Sequence, residues 1–183
     1  MNSMFRSGIA LCAALLAACT AGPPLVPAPE FELAGRMAVR FQDRGFSSAV
    51  RWKHAGGADE IWLTAPLGQT IAHLQADSAG ATLTAADQKQ YRAGSIESLT
   101  RSALGWPLPV AGLRHWVLGQ PAPGMVTTVP ERDAAGRITR MRQDDWQVAF
   151  SYAAAGTSPS RLEIVGRDAE IRLVIDRGSP AQP

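Results

Sequence analysis

The feature of this sequence that most constrains its fold is a long alternation of apolar and polar residues. It begins with Phe31, Leu33, Met37, Val39 and Phe41 on one face of a strand and Glu32, Arg36, Arg40 and Gln42 on the other. Successive side chains of a strand point to opposite faces, so this pattern is typical of a half-buried strand. Further segments with strand character follow at residues 46–53, 60–64, 70–74, 81–85, 90–93, 138–142, 146–152, 161–165 and 170–175. The spacing predicts a mainly β domain with a single antiparallel sheet of about ten or eleven strands, wide enough that it must curl.

Between the two runs of strands the period changes to that of a helix. Ser95 is a suitable N-cap for a helix that Gly105 ends, with Ile96, Leu99, Ala103 and Leu104 on one face. Pro109 suits the first turn of a second helix that Gly119 ends, with Val110, Leu113, Trp116 and Val117 on one face. Two short amphipathic helices in the middle of the chain are well placed to cover the concave face of a curled sheet. We therefore expect an open half β-barrel with a helical lid.

Seven large apolar side chains are candidates for the lining of a hydrophobic cavity under this lid. They are Trp52, Trp62, Leu99, Leu113, Trp116, Trp146 and Phe150. The alternative is that they belong to an ordinary filled core. The sequence does not separate the two, because a core and a cavity lining both need apolar side chains.

A turn with an apolar tip interrupts the strand pattern at Ala65-Pro66-Leu67-Gly68. Pro66 fixes φ and Gly68 accepts positive φ, so the chain is expected to reverse here. Leu67 then lies at the tip, where polar residues are usual because turns are exposed to water. A leucine folded back onto a neighbouring loop is one explanation, and a leucine that touches another molecule is the other.

The first 18 residues have the character of a secretory leader. Arg6 is their only charged side chain, and the apolar run that follows is too short and too rich in alanine for a stable membrane span. The sequence Leu16-Ala17-Ala18-Cys19 resembles the lipobox of bacterial lipoproteins. That resemblance implies that residues 1–18 are removed and that Cys19 carries acyl chains. Thr20 stands where many lipoproteins retained in the inner membrane have Asp, so the outer membrane is the implied destination.

The mature chain divides into three predicted parts. Residues 19–30 form a proline-rich tether that carries the lipid, residues 31–178 form the folded domain, and residues 179–183 form a tail. The charge balance is close to neutral, since removal of Arg6 leaves 17 of the 18 Lys and Arg residues against 16 Asp and Glu. Without blocks of Lys or Arg, this balance argues against nucleic-acid binding.

Six motifs occur in order across the mature chain. They are Phe31-Glu32-Leu33-Ala34-Gly35-Arg36, Trp52, Ala65-Pro66-Leu67-Gly68, Gly105-Trp106-Pro107-Leu108-Pro109, Leu113-Arg114-His115-Trp116-Val117-Leu118-Gly119 and Asp145-Trp146-Gln147-Val148. Behind a lipobox, this ordered set resembles the LolB family of outer-membrane lipoprotein receptors. The chain departs from the family pattern in two places, because it lacks a helix before Phe31 and a closing tryptophan after Ile175.

The resemblance implies a monomeric open β-barrel whose helices cover a hydrophobic cavity. It also implies a function without catalysis, cofactor or nucleotide: lipoproteins arrive from the periplasmic carrier LolA, their acyl chains enter the cavity, and the protein places them in the outer membrane. The protein would face the periplasm. By the same resemblance, Pro66, Leu67 and Gly68 form the turn that acts in membrane insertion.

Patterns typical of catalytic or metal sites are missing from this sequence. His54, His73 and His115 have no paired-ligand spacing, and there is no Gly-x-Ser-x-Gly elbow or phosphate loop. Asp144 and Asp145 are adjacent, so on a strand they would point to opposite faces, and a solvated turn is the better interpretation. The alternative function is that of a lipid-anchored scaffold in an envelope assembly, which would need no acyl-chain cavity.

Overall fold

The fold is one antiparallel sheet of eleven strands with two helices inserted in its middle, as seen in a computed structural model that describes residues 30–180. The strands are β1 (Phe31–Phe41), β2 (Arg44–Ala55), β3 (Ala58–Thr64), β4 (Thr70–Asp77), β5 (Gly80–Ala85), β6 (Gln90–Ala93), β7 (Glu131–Arg132), β8 (Ile138–Gln143), β9 (Trp146–Tyr152), β10 (Pro159–Val165) and β11 (Ala169–Pro180). The helices are α1 (Ile96–Leu104) and α2 (Val110–Trp116).

The strand order explains why the barrel is open. It runs β6-β5-β4-β3-β2-β1-β11-β10-β9-β8-β7, so two meanders are joined where the first strand pairs with the last. β6 and β7 are left as the two edges of the sheet. The predicted mainly β fold with a single open sheet of about ten or eleven strands is confirmed.

The inner face of the sheet follows the alternation in the sequence. In β2, Val50, Trp52 and His54 are buried while the residues between them are exposed. A bulge interrupts the pairing of β1 with β11 at Gly35, where an added Cβ would lie 2.0 Å from the carbonyl oxygen of Val174. Glycine is therefore required at this crossing, because no side chain fits against that backbone.

Helix α1 begins and ends where local chemistry predicts, whereas α2 ends at Trp116, three residues before the predicted terminus at Gly119. The Ser98 amide donates a hydrogen bond of 3.1 Å to the side-chain oxygen of Ser95, which caps α1, and Gly105 follows with φ of 87°. α2 starts directly after Pro109. The two helices are tied together because the Ala111 amide donates a hydrogen bond of 3.1 Å to the Glu97 carboxylate.

Antiparallel pairing places the turns alternately at two rims of the sheet. One rim, called here the Leu67 rim, carries the turns at residues 42–43, 65–69, 86–89, 144–145 and 166–168. The opposite rim carries Glu30 and the turns at residues 56–57, 78–79, 133–137 and 153–158. Asp144 and Asp145 lie in an exposed turn of the Leu67 rim.

Several predicted boundaries fall outside the described residues. The leader, Cys19 and all of the tether except Glu30 fall within residues 1–29. The prediction that no helix precedes Phe31 concerns the same residues. At the other end β11 continues to Pro180, two residues past the expected boundary at 178. Within residues 30–180, no helix has the length and apolar character that a membrane crossing requires.

Candidate functional site

A cavity of about 330 Å³ lies between the two helices and the inner face of strands β1 to β5 and β11. Its volume is near the lower end of the roughly 300–1,000 Å³ that small-molecule pockets occupy. The helices and their connection contribute Thr100, Ala103, Trp106, Leu108, Val110 and Leu113 to its lining. The strands contribute mainly Leu, Ile, Val, Met and aromatic side chains.

Thr100 is the one hydroxyl-bearing residue that the lid contributes to the cavity lining, and its hydroxyl is hydrogen-bonded within the lid. Thr100 Oγ1 donates a hydrogen bond of 2.9 Å to the Ile96 carbonyl and accepts one of 2.8 Å from the Leu108 amide. The hydroxyl is therefore already satisfied, and it ties the end of the α1–α2 connection to α1. Trp106, in that connection, stacks on Phe41 of β1 with ring centroids 6.2 Å apart.

The cavity has its mouth at the Leu67 rim. Phe46 lines the cavity and is 38% exposed, whereas Val50 and Trp52, further along β2, are 6% and 4% exposed. Arg44, at the start of the same strand, also lines the mouth and faces water. An apolar ligand can thus enter the cavity at this rim with its polar end left in water.

The turn after β3 carries a solvent-exposed leucine at the same rim. The Gly68 amide donates a hydrogen bond of 2.8 Å to the Ala65 carbonyl, which places Pro66 and Leu67 at the centre of a β-turn. Gly68 then adopts φ of 85°, a left-handed conformation that favours glycine. Leu67 is 92% exposed, so it does not fold back onto a neighbouring loop.

A buried carboxylate joins the lid to the sheet near the opposite rim. Asp59 of β3 accepts hydrogen bonds of 2.9 Å from Trp52 Nε1 and 2.8 Å from His54 Nδ1. Its second oxygen accepts from the guanidinium of Arg114 in α2, with 3.0 Å to Nε and a second bond from Nη2. The Asp59 side chain is completely buried, so these partners are needed to offset the loss of water.

The same contacts set the ionisation of the cluster. Burial alone would raise the pKa of Asp59, but hydrogen bonds from His54, Arg114 and Trp52, together with the Arg114 charge, outweigh burial and lower that pKa below its ordinary 3.8. The pKa of His115 is lowered below 6.5, first by burial and then by Coulombic interaction with Arg114 and with His54. Asp59 is therefore held as an anion and His115 as a neutral ring near pH 7.

The three histidines do not converge on a metal-binding geometry. His54 is fully buried, and its Nε2 has no hydrogen-bond partner among residues 30–180. His73 lies on the outer face, where Nε2 is 3.0 Å from Glu60. Within the described part of the chain, no group of three or more His, Cys, Asp or Glu side chains could hold a metal ion.

A second buried polar group holds the C-terminal turn of α2 from the other side. Gln143 of β8 is fully buried and accepts hydrogen bonds of 2.6 Å from Trp116 Nε1 and 2.8 Å from the Ala122 amide. Its amide nitrogen donates to the Ala122 carbonyl at 2.9 Å and to Thr127 at 2.7 Å. α2 is therefore bonded to β3 through Arg114 and to β8 through Trp116, on opposite sides of the opening in the sheet.

Comparison with known proteins agrees with this architecture. The family model described as "Outer membrane lipoprotein LolB" matches residues 29–177, which is most of the chain. The chain belongs to the LolB family. It is 40% identical over 152 residues to an outer-membrane lipoprotein LolB of Nitrosomonas europaea, covering 80% of this chain and 71% of the relative. Identity is 37% over 165 residues to LolB of Thiobacillus denitrificans, covering 90% and 88%, and 34% over 183 residues to LolB of Chromobacterium violaceum, covering 94% and 98%.

The motifs that carry the LolB resemblance occupy distinct places around the cavity. The segment from Gly105 to Pro109 connects the two helices and supplies Trp106 and Leu108 to the lining. The segment from Leu113 to Gly119 supplies Leu113 to the cavity and carries Arg114 and Trp116, the two side chains that hold α2. The LolB motifs thus build the lid and its attachments as well as the exposed turn.

Of the seven side chains named as candidate lining residues of this LolB-family domain, Trp52 and Leu113 line the cavity. Trp62 lies on the outer face of β3, because Ile61 and Leu63 on either side of it point inward. There it stacks on His73 with centroids 5.1 Å apart, and the Arg51 guanidinium lies 5.4 Å from its ring centroid.

The other four candidates are buried or half-buried elsewhere in the core. Leu99 is 1% exposed on α1, and Trp116, Trp146 and Phe150 fill the half of the fold that contains β8, β9 and β10. Trp116 and Trp146 are neighbours, with ring centroids 6.5 Å apart. The concave face is therefore packed on one side and hollow on the other.

Sequence reasoning missed Asp59, Arg114 and Gln143. Asp59 and Gln143 stand at inward positions of their strands, where a polar residue is unexpected unless it has partners. The signal available in the sequence was this break in the alternation, opposite a lid motif that contains Arg114.

Proposed function

We propose that this protein receives lipoproteins from a LolA-like periplasmic carrier, holds their acyl chains in the cavity under α1 and α2, and places them in the outer membrane. The observation that carries the proposal is the apolar cavity of about 330 Å³, whose mouth lies at the rim that presents Leu67. Relatives that share most of this chain are named outer-membrane lipoproteins. No cofactor, nucleic acid or second copy of the chain is part of the proposal.

The direction of transfer follows from how much of each acyl chain is sheltered. Each methylene removed from water contributes about 0.8 kcal/mol, so every two methylenes that the cavity leaves in water cost about 1.6 kcal/mol. A bilayer shelters the whole chain, so the cargo is more stable there by more than tenfold. Transfer then needs no nucleotide, provided that the lid lets the chain pass from the mouth to the membrane.

The membrane attachment belongs to the same proposal. Removal of residues 1–18 would leave Cys19 as the first residue, with acyl chains that anchor the domain to the periplasmic side of the outer membrane. Several acyl chains satisfy the two-signal requirement for stable anchoring. Mass spectrometry of the membrane-extracted protein tests this, and an unmodified amino terminus at another residue would contradict it.

The cavity is tested by filling it. Ala72 lies on the inner face of β4, lines the cavity and is 8% exposed, so Ala72→Phe puts a ring into the space meant for the acyl chain. We expect binding of a triacylated peptide to weaken by at least about tenfold, equivalent to 1.4 kcal/mol. The readout is titration of the peptide, followed by transfer of a lipoprotein from carrier to liposomes.

Ala38→Phe is the matched control, because Ala38 is exposed on the outer face of β1 and does not line the cavity. It should bind the peptide like the parent protein. If the parent itself is indifferent to acyl chains while folded, the scaffold function replaces this proposal. If both variants bind normally, the acyl chains lie somewhere other than this cavity.

A further inference from the structure

Large apolar side chains exposed to water are distributed unevenly over the described part of the molecule. Phe46, Leu67, Val126 and Val165 lie at the Leu67 rim, with exposed fractions of 38%, 92%, 79% and 45%. Tyr91 and Val129, the two others, lie on or beside the edge strands β6 and β7. The turns of the opposite rim consist mostly of Gly, Ala, Ser and Thr. Among residues 30–180, the Leu67 rim therefore presents large apolar side chains to water, and the turns of the opposite rim do not.

The strand register brings three of these side chains to nearly the same height. Val165 pairs with Glu170, Glu170 with Arg40, and Arg40 with Gly45, so Val165 is one residue row from Phe46. On the other side of Phe46, Thr64 pairs with Ala49, and the turn extends Leu67 three residues further toward the level of Phe46. Val165 and Phe46 are three strands apart, which is about 14 Å across the sheet.

Val126 is fixed to this rim although it belongs to a loop. Its amide donates a hydrogen bond of 3.0 Å to the Asp144 carboxylate, and its carbonyl accepts one of 2.9 Å from the Asp144 amide. Asp144 lies in the β8–β9 turn. These two bonds hold the loop so that a 79% exposed valine stands beside the rim instead of packing inward.

The charges of the rim favour an apolar contact over an electrostatic one. Its turns carry Asp43, Asp87, Asp144, Asp145 and Asp168 against Lys89 and Arg167, with Arg44 next to the first turn. Lys89 is paired with Asp87 at 2.7 Å. A surface with more acids than bases is not drawn to anionic lipid, so contact with a membrane must come from insertion of apolar side chains.

We propose that the whole Leu67 rim is the lipid-facing surface, with Val126 and Val165 as two contact points in addition to Leu67. The partner is the interface of a bilayer, which takes up the apolar tips while the mouth of the cavity faces the membrane. Because Phe46 belongs to both the mouth and the rim, an acyl chain that leaves the cavity enters lipid without crossing open water. The proposal rests on the proposed transfer function and extends it from one turn to one side of the molecule.

Single spin labels test the contact directly. Residues 20–183 contain no cysteine, so Cys variants at positions 67, 126 and 165 each give one labelling site when Cys19 is acylated. Positions 78 and 135, in exposed turns of the opposite rim, serve as controls. In full-length protein on phosphatidylcholine vesicles, we expect the rim labels to be more accessible to oxygen than to a water-soluble nickel reagent, and the controls to show the reverse.

A charge substitution gives the functional half of the test. Val126→Glu and Val165→Glu should each slow cargo insertion into the same vesicles by roughly three- to tenfold, the effect of partly losing the burial of one valine. Val129→Glu is the matched control, since Val129 is 93% exposed beside the sheet edge and should insert cargo like the parent. Lipid contact at position 67 alone, with normal insertion by both rim variants, would overturn the proposal.

The transfer function and the rim proposal fail in different ways. If the triacylated peptide still binds but no rim label senses lipid, the rim faces something other than the membrane and only the rim proposal falls. If labels 126 and 165 are shielded by the carrier and not by lipid, the rim is a protein-docking surface and the proposal is likewise overturned. Failure to bind the peptide at all removes the transfer function first.

Discussion

At the scale of single residues, Leu67 shows most clearly how local sequence and function meet. Pro66 and Gly68 determine the turn by backbone chemistry, and this part could be predicted without any tertiary information. The turn leaves Leu67 92% exposed, at a cost in unburied apolar surface that the fold itself does not recover. The proposed contact with lipid would give this exposed leucine a use outside the folded domain.

Leu67→Glu separates folding from function. Because the side chain is exposed, we expect the free energy of unfolding to change by no more than about 0.5 kcal/mol. Uptake of cargo from the carrier should also be unchanged, while passage of cargo to liposomes should fall, because a carboxylate opposes entry into the headgroup region. The measurement combines thermal unfolding and a transfer assay on one preparation.

Leu63→Glu is the companion variant, on the same hairpin but facing the cavity. It should lose several kcal/mol through burial of a charge. Equal stability of the two variants would mean that Leu67 is not the exposed residue of the pair. A stable Leu67→Glu protein with full transfer would show that the turn has no part in cargo release.

Residue-scale prediction from sequence worked where neighbours in the chain decide the outcome. The Ser95 cap, the Gly105 terminus and the 65–68 turn all depend on residues within a few positions of each other. It did less well for Trp62, because Ile61-Trp62-Leu63 is apolar throughout and the alternation does not say which face is inside. Asp59 faces inward on the same strand, as its buried partners show, so Ile61 and Leu63 also face inward and Trp62 faces outward.

At the scale of elements, helix α2 is the fixed part of the lid. Arg114 binds Asp59 on β3, and Trp116 binds Gln143 on β8, so the helix bridges the two halves of the sheet. Gly112 allows this position, because a Cβ there would lie 2.5 Å from the Trp116 ring. Both buried polar groups are expensive to leave unpaired, which makes the attachment specific.

Removing one partner of the Asp59 cluster should destabilise the fold far more than removing a surface ion pair. For Arg114→Met we expect a loss of roughly 3–5 kcal/mol at pH 7, since Asp59 keeps its charge without its main counter-ion. Arg140→Met is the control, because Arg140 pairs with exposed Glu131 at 3.1 Å and should cost less than about 1 kcal/mol. Urea unfolding of both variants gives the comparison.

The pH dependence adds a signature of the same cluster. The pKa of Asp59 is lower in the folded protein than its ordinary 3.8, so the unfolded chain binds more protons in acid. The stabilisation is complete above about pH 4 and is lost as pH falls through the folded-state pKa. Arg114→Met should therefore show a shallower acid transition than the parent, and an unchanged transition would contradict the assigned role of Asp59.

Element order, strand number and helix positions could be predicted because alternation, capping and turn chemistry are visible in the sequence. The division of the concave face into a packed half and a hollow half could not. Trp116, Trp146 and Phe150 on the packed side and Trp52 on the hollow side have the same apolar character. Which of them borders empty space depends on how far the helices sit from each strand, a tertiary distance that no local pattern records.

At the scale of the whole molecule, the point where the predicted tether joins the domain and the proposed lipid-facing rim lie at opposite ends of β1. β1 starts at the rim that carries Glu30 and ends at the Leu67 rim. Its eleven residues span about 34 Å, or about 26 Å along the barrel axis at a typical strand tilt. Cys19 and Glu30 are eleven residue steps apart, which covalent geometry limits to about 36–40 Å. The available reach exceeds the required one by only about 10 Å.

Shortening the tether should therefore slow insertion of cargo into the membrane without affecting cargo binding. Deletion of residues 23–27 leaves six residue steps between Cys19 and Glu30, which span at most about 22 Å. This reach is shorter than the axial length of β1, about 26 Å, which the tether must cover for the Leu67 rim to contact the membrane that holds the anchor. We expect normal lipidation, stability and peptide binding but slower insertion of cargo into the vesicle that carries the protein. Replacing the same five residues with Gly and Ser keeps the length and should preserve insertion, which isolates reach from proline content. Full insertion by the deletion variant would mean that the rim meets the membrane without turning back past the anchor, and would contradict the proposed orientation.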